Sequence, residues 1–245
     1  NINLAIDEDI DFIAHSFVRS AADVRAVQQM LDERGSDIKI ISKIENQEGV
    51  DNIDEIIDAS YGIMIARGDL GIEVPIERIP GIQRMIIRKC VLKKKPVIVA
   101  TQMLHTMINN PRPTRAEVTD IANAIYYRTD ALMLSGETAS GKYPLEAVKT
   151  MARIALRAEA SIDYESRFRK REYGTQTDIT SAISQATVTS AHDLKASAII
   201  TVTKSGTTAR VISKYRPSCM IIGCTTSASV WRQLSLSWGV VPLMI

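Results

Sequence analysis

Two short segments of this 245-residue chain carry charged side chains that could bind a metal ion and a negatively charged substrate. Lys43 and Glu45 are two residues apart, so on a β-strand both point to the same side. Asp69 lies between Gly68 and Gly71 in a segment that can make a tight turn with exposed backbone N–H groups. Glu45 and Asp69 together offer the hard oxygen ligands that Mg²⁺ takes in proteins. Taken separately, the first segment also fits a plain salt bridge and the second a solvated turn.

Small hydroxyl residues follow two other apolar runs. Thr101 follows residues 97–100 and Ser135 follows residues 131–134. Hydroxyl groups orient water and relay protons, although they do not ionise near neutral pH. Either residue could instead cap the next helix. The three histidines and three cysteines show no metal-ligand spacing, so no zinc site is predicted.

The elements that position these residues follow an alternating pattern. Five apolar, β-branched runs read as buried parallel strands, at residues 12–18, 38–44, 62–66, 97–100 and 131–134. Helix signals lie between them: Ser20 with Asp23 resembles a capping box, Thr114 reads as an N-cap after a proline-rich turn, and Pro144 opens a long helix. An open doubly wound sheet and a barrel both satisfy this pattern. Because every strand ends in polar or charged side chains, and only a barrel brings all strand ends to one mouth, we expect a barrel.

A second α/β pattern follows a break. Residues 163–177 are charged and lack an apolar period, which indicates a solvated linker. A helix near residues 179–194 and strands at 198–202, 220–224 and 240–245 then predict a small separate sheet. The expected division is therefore a catalytic domain at 1–162, a linker at 163–177 and a second domain at 178–245.

Composition sets limits on the partners and location of the protein. Apolar residues make up 45% and charged residues 24%, and the net charge is +2, so neither nucleic acid nor a membrane is an expected partner. No apolar run approaches the roughly 20 residues of a membrane helix, and the first residues do not resemble a signal peptide. A cytoplasmic protein is expected. Because the sequence lacks an initiator Met and stops directly after a predicted strand, we also expect a fragment.

Five segments, read together, resemble the pyruvate kinase family: ISKIENQEGV, MIARGDLGIEVP, PVIVATQML, NNPRPTRAEVTDIANA and ALMLSGETASGKYPLEAV. Their order and spacing match, and the resemblance extends to Ile245. The family fold is an eight-stranded β/α barrel with an inserted lid domain and a separate C-terminal α/β domain. The resemblance implies a partial (β/α)8 barrel, strands four to eight, followed by a smaller three-layer α/β domain that is itself truncated.

The resemblance also implies roles for individual residues. Lys43 matches the catalytic lysine that stabilises the transferring phosphoryl group, and Glu45 and Asp69 match the Mg²⁺ ligands, with Mn²⁺ as an alternative ion. Lys43, Gly68, Asp69 and Thr101 match the binding site for phosphoenolpyruvate. Thr101 matches the threonine near the carbon that is protonated, and Ser135 lies near that position.

The implied reaction is magnesium-dependent phosphoryl transfer from phosphoenolpyruvate to ADP, which gives pyruvate and ATP in the last step of glycolysis. The resemblance also implies that the protein assembles as a homotetramer. In the family, the first three strands carry the K⁺ ligands, a phosphate-binding arginine and most nucleotide contacts, and none of these segments is present. We therefore predict that this chain alone is inactive. Two alternatives stay open: another magnesium-dependent barrel enzyme of enolate chemistry, such as an aldolase or phosphoenolpyruvate mutase, or a non-catalytic oligomerisation or regulatory module.

One further loop resembles a regulatory site of the family. Thr203, Lys204, Ser205, Gly206, Thr207 and Thr208 join a predicted strand to a predicted helix, a connection suited to phosphate. The loop resembles the family's binding site for a sugar-phosphate effector. Many regulated members carry a basic residue at the position of Thr207, so a structural turn without ligand is an equal alternative.

Overall fold

The structure is a computed structural model that describes residues 1–170 and 178–245. The chain divides into two compact units, Asn1–Ile162 and Asp163–Ile245, which are described separately below. Among the described residues, no helix combines the length and apolar character that crossing a bilayer requires.

The first unit contains a five-stranded parallel sheet. Its strands are β1 (Phe12–His15), β2 (Lys39–Ile44), β3 (Gly62–Ala66), β4 (Val97–Ala100) and β5 (Ala131–Met133). Each strand pairs with the next one in the chain, so the order is β1-β2-β3-β4-β5. An open doubly wound sheet would reverse its order at a switch point, where its ligands bind. The sequential order is that of a β/α barrel, and it confirms the predicted barrel segment.

One helix precedes β1, and the other helices of this unit follow its strands. They are α1 (Ile2–Asp7), α2 (Ala21–Glu33), α3 (Gln47–Asp51), α4 (Ile53–Ala59), α5 (Arg67–Glu73), α6 (Ile79–Leu92), α7 (Arg115–Tyr126), α8 (Gly136–Ala139) and α9 (Pro144–Ala160), with 3₁₀ turns at Ile76–Arg78 and His105–Ile108. The predicted capping box of α2 is present, and the backbone N–H of Ser20 donates to Asp23 Oδ2 at 3.1 Å. Thr114 caps α7 as predicted, with its hydroxyl oxygen 3.2 Å from the backbone nitrogen of Glu117.

Strand β3 is buried along its whole length, as a central parallel strand covered on both faces should be. Ile63 and Ile65 are fully buried, and so are Ile57 on α4 and Ile86 on α6. This packing holds the carboxyl ends of β2, β3 and β4 at fixed positions relative to one another. Those strand ends carry the candidate site.

The second unit has a three-stranded parallel sheet in the order β6-β7-β8. Its elements are α10 (Tyr164–Arg169), α11 (Ile179–Asp193), β6 (Ala198–Val202), α12 (Thr207–Lys214), β7 (Met220–Thr225), α13 (Ala228–Leu234) and β8 (Val240–Met244). One sheet face, which includes Ile199, Ile221 and Val240, packs with Val188 of α11 and Leu234 of α13. The predicted strands and helices of this unit are therefore present, with ends shifted by a few residues.

The segment expected to be a linker begins differently from the expectation. Residues 164–169 form α10, whose N-cap Asp163 accepts a hydrogen bond from the backbone N–H of Ser166 at 2.9 Å. Phe168 is buried, and its ring lies 5.3 Å from that of His192. One buried aromatic residue anchors a short helix whose remaining residues are too polar to show an apolar period. The rest of the expected linker, residues 171–177, lies outside the described residues.

The other face of the second sheet carries exposed apolar side chains. Ile200 is 69% exposed and Val202 is 74% exposed, whereas their neighbours Ile199 and Thr201 are buried. Val241 and Leu243 on β8 are also about half exposed. The residues that the structure describes therefore form two layers in this unit, and the expected third layer is not among them.

Candidate active site

The predicted pair at the end of β2 is an ion pair. The ammonium Nζ of Lys43 lies 2.6 Å from Glu45 Oε1. The Glu45 side chain is only 1% exposed, whereas that of Lys43 is 23% exposed. The two-residue spacing on an extended segment places both side chains on one side, as expected. Because a buried carboxylate requires a partner, this contact accounts for the burial of Glu45.

The loop after β1 supplies further partners for the pair. The Lys43 ammonium donates to Ser16 Oγ at 2.9 Å, and the backbone N–H of Phe17 donates to Glu45 Oε2 at 2.6 Å. Phe17 adopts a positive φ of 55° at this point. The ends of β1 and β2 are thus tied together through the charged pair.

Asp69 lies at the end of the neighbouring strand. Strands β2 and β3 pair in parallel register, with Ile44 opposite Ile65, so Glu45 and the segment after β3 lie at the same edge of the sheet. The expected tight turn is the first turn of α5, with Asp69 exposed in it. The first N–H groups of a helix have no acceptor within the helix, which suits an anion.

Thr101, at the end of β4, contacts the same segment. Its hydroxyl oxygen accepts a hydrogen bond from the backbone N–H of Gly68 at 2.7 Å and donates to the carbonyl of Ala100 at 2.6 Å. The structure therefore brings Gly68 and Thr101 into direct contact. It also shows that the Gly68 N–H has a protein acceptor.

Ser135 is the N-cap residue of α8 at the end of β5, but its side chain makes no capping hydrogen bond. Glu137 connects this loop with the preceding one. Its carboxylate accepts from the backbone N–H of Ser135 at 2.9 Å and from that of Leu104 at 3.0 Å, and the residue is 2% exposed. Sequence reasoning did not foresee this bridge, because the contact with Leu104 joins residues 33 positions apart.

Sequence reasoning also missed the contacts of Arg67. Its guanidinium pairs with Asp120 of α7, with 2.6 Å between Nη1 and Oδ2, and Nη2 donates to the carbonyl of Thr101 at 2.7 Å. The partners are 53 and 34 positions away in the sequence. No local pattern could have indicated them.

Glu45 and Asp69 are chemically suited to a magnesium ion. Within residues 1–170 and 178–245 no group of three or more His, Cys, Asp and Glu side chains is placed to hold a metal. Mg²⁺, however, often takes only one or two carboxylates and completes its shell with water and substrate oxygens. An ionised carboxylate has about four lone-pair positions, and Lys43 and Phe17 each occupy one on Glu45. The donor set therefore fits such an ion.

In the second unit, the segment predicted as a loop at 203–208 includes the start of a helix: residues 203–206 precede α12, which begins at Thr207. Gly206 is its N-cap residue and has a left-handed conformation of φ +76°. Arg210 of α12 donates to the carbonyl of Ser205 and to Thr207 Oγ1, both at 3.1 Å. A guanidinium group thus lies against this loop, although residue 207 itself is not basic.

Comparison with known proteins agrees with these observations. The family model described as pyruvate kinase, barrel domain, matches residues 1–148, and the model for the pyruvate kinase alpha/beta domain matches residues 181–245. These matches do not favour the aldolase or mutase alternative.

Individual relatives agree as well. A pyruvate kinase of Clostridium acetobutylicum is 56% identical over 97% of this chain and 50% of its own length, and one of Sporosarcina psychrophila is 54% identical over the whole chain and 42% of its own length. The crystal structure of a pyruvate kinase from Cryptosporidium parvum superposes with a TM-score of 0.97 at 47% identity, covering all of this chain and 51% of that one. The chain spans about half the length of these relatives. It belongs to the pyruvate kinase family.

Proposed function

We propose that this chain forms half of a catalytic site in a longer protein that transfers the phosphoryl group of phosphoenolpyruvate to ADP, giving pyruvate and ATP. The main support is the Lys43–Glu45 ion pair at the carboxyl end of β2, beside Asp69, in a chain of this family. A cation and two carboxylates at one barrel mouth provide the charges that phosphoryl transfer requires.

Lys43 and the two carboxylates would act on the phosphoryl group. The Lys43 ammonium is the group that can offset charge on the transferring oxygens, since it is partly exposed and held by Glu45 and Ser16. Glu45 and Asp69 would hold Mg²⁺ or Mn²⁺, which neutralises phosphate charge when bound. The potassium requirement implied by the resemblance would involve residues outside this chain.

Gly68, Asp69, Thr101 and Ser135 would bind the remainder of the substrate. Backbone N–H groups at the start of α5 are suited to its carboxylate. The Thr101 hydroxyl, which already contacts the Gly68 N–H, would lie near the carbon that gains a proton. A carboxylate that accepts from Gly68 must share or replace this contact with Thr101.

The proposal is tested in the full-length protein that contains this chain, by a coupled assay of pyruvate release. Replacing Lys43 with Met should lower kcat by about 10²–10³-fold, the usual effect of removing a group that stabilises transition-state charge. The control is Lys89→Met, which removes an exposed ion pair with Asp54 on the helices outside the sheet and should leave kcat unchanged. An active Lys43→Met protein would contradict the proposed role.

The chain alone gives a second test. Without the segments that complete the barrel it should release no pyruvate, and clear turnover would contradict that prediction. It should nevertheless bind oxalate, a mimic of enolpyruvate, in a magnesium-dependent manner. Failure of Mg²⁺ to change oxalate binding would favour the alternative of a non-catalytic module.

We further propose a regulatory phosphate site at Thr203, Lys204, Ser205, Gly206, Thr207 and Thr208. The observation in its favour is the Arg210 guanidinium, which contacts the loop and supplies a positive charge where Thr207 does not. A calorimetric titration with a sugar bisphosphate tests this, and Arg210→Gln should weaken binding.

We also propose that the full-length protein assembles as a homotetramer and is located in the cytoplasm. Sedimentation analysis tests the assembly, and cell fractionation tests the location.

A further inference from the structure

The backbone at the end of β4 is strained. Thr101 has a φ of +72° and Gln102 a φ of +54°. A β-branched residue rarely adopts this left-handed region, because its side chain collides with its own backbone. Such a conformation persists only where surrounding contacts enforce it, and it is common at functional sites. The contacts that enforce it here therefore control where the Thr101 hydroxyl points.

Arg67 makes the contact that could enforce this conformation. Its side chain is only 10% exposed, and its Nη2 donates to the strained residue's own carbonyl at 2.7 Å. Nη1 is fixed by Asp120 at 2.6 Å and lies 3.4 Å from Gln83 Oε1. The guanidinium thus links α6 and α7 to the loop after β4.

Gly68, the residue after Arg67, makes a second contact with Thr101. The backbone N–H of Gly68 donates to the Thr101 hydroxyl at 2.7 Å. A Cβ added at Gly68 would lie 3.4 Å from the Thr101 hydroxyl oxygen, so the two segments are in close contact. Arg67 and Gly68 therefore fix the carbonyl and the hydroxyl of one residue.

We propose that Arg67 is a positioning residue that holds the Thr101 hydroxyl in place for the protonation of enolpyruvate. This inference deepens the proposed function and rests on it. A planar guanidinium binds two acceptors in a fixed geometry, which an ammonium cannot do. Arg67→Lys therefore keeps the charge opposite Asp120 and loses the simultaneous hold on the Thr101 carbonyl.

The first test measures amide hydrogen exchange in the chain itself, where the Gly68 amide reports on its bond to Thr101. In Arg67→Lys we expect this amide to exchange about tenfold faster, equivalent to about 1.4 kcal/mol of local stability. The buried β3 amide of Ile65 should keep its rate, which separates loss of positioning from general loosening. Lys89→Met serves as the matched control, because it removes an ion pair that does not contact Thr101.

If Arg67→Lys does not fold, Asp120→Asn is the second variant. It retains an oxygen acceptor for Nη1 but removes the charge, so faster exchange at Gly68 is again expected. A Gly68 rate equal to that of the Lys89→Met control, in whichever variant folds, overturns the proposal.

The second test uses the full-length protein and separates the protonation of enolpyruvate from phosphoryl transfer. Arg67→Lys should lower the rate at which deuterium from solvent enters the methyl group of pyruvate, together with kcat, while the KM for phosphoenolpyruvate changes less than kcat does. If the wild-type protein is active and the variant incorporates deuterium into the methyl group of pyruvate at the wild-type rate, the role of Arg67 is refuted and the proposed function is not. A wild-type protein without phosphoryl transfer refutes the proposed function instead, and leaves the Gly68 measurement to decide whether Arg67 positions Thr101.

Discussion

Removing the positive charge of Lys43 should destabilise the first unit more than removing the negative charge of Glu45. Lys43→Met leaves a carboxylate that is 1% exposed without its cation. Breaking a buried ion pair in this way costs about 3–5 kcal/mol. Because the Lys43 side chain is 23% exposed and water can reach the pair, we expect a cost of about 2–3 kcal/mol, somewhat below that range.

Glu45→Gln should cost less, about 1 kcal/mol, the value of an ordinary hydrogen bond. The glutamine oxygen can still accept from the Phe17 N–H, and the Lys43 ammonium keeps its bond to Ser16 and its access to solvent. The double variant should be more stable than the sum of the two single changes predicts, since it contains no buried unpaired charge. A coupling of about 1–2 kcal/mol lies within the range of contacting residues.

Urea unfolding followed by far-UV circular dichroism and by tryptophan fluorescence measures these costs. Trp231 and Trp238 are the two tryptophans of the chain, and both belong to the second unit, so fluorescence provides an internal control. The loss of stability in the first unit should lower the urea midpoint measured by dichroism and leave the midpoint measured by fluorescence unchanged. The reasoning would be refuted if Glu45→Gln lowered the free energy of unfolding as much as Lys43→Met does. It would also be refuted if the loss in the double variant equalled the sum of the two single losses.

Three other predictions concern stability. Burial raises the pKa of Glu117, but hydrogen bonds from the backbone and hydroxyl groups of Thr106 and Thr114 lower it below the ordinary value overall. The stabilisation by this carboxylate is therefore complete above its unfolded pKa and is lost as the pH falls through its lower folded pKa, so the difference in urea midpoint between wild type and Glu117→Gln should shrink on acidification. Gly81→Ala, in α6 with open space around the new Cβ, should stabilise by about 0.5–1 kcal/mol. Gly206→Ala should destabilise by about 1–3 kcal/mol in the fluorescence transition, because φ is +76° and the new Cβ would lie 3.0 Å from Arg210.

The sequence predicts those features whose signal is local. Five strands stand out as apolar runs, and β3 (Gly62–Ala66) and β4 (Val97–Ala100) have the bounds that the runs indicate. The expected burial holds for β3 and fails for β1 and β5, the two outer strands of the sheet, which have no buried residue. Lys43 and Glu45 meet because the period of a strand fixes their relative direction. The sequential strand order, which decides between barrel and open sheet, was predicted from the chemistry of the strand ends rather than from the strands themselves.

Features that depend on distant contacts could not be predicted in the same way. The Arg67–Asp120 pair joins residues 53 positions apart, and the left-handed Thr101 is held by groups from other elements. Phe168 is a single buried aromatic in a charged segment, so no periodicity marks α10. In each of these cases the three-dimensional neighbour, rather than the local sequence, determines the conformation.

The contacts within the site indicate how binding of substrate would have to proceed, if the proposed function holds. Lys43 is neutralised by Glu45, and the Gly68 N–H is bonded to Thr101. Lys43 can turn fully toward a phosphoryl group only when another cation takes its place beside Glu45, since a buried carboxylate does not stay unpaired. A divalent cation and a phosphate should therefore favour each other's binding. The Gly68 N–H would either be shared with the substrate's carboxylate or pass to it, while Arg67 keeps its contact with the Thr101 carbonyl, so the hydroxyl would stay near the reacting carbon in both cases.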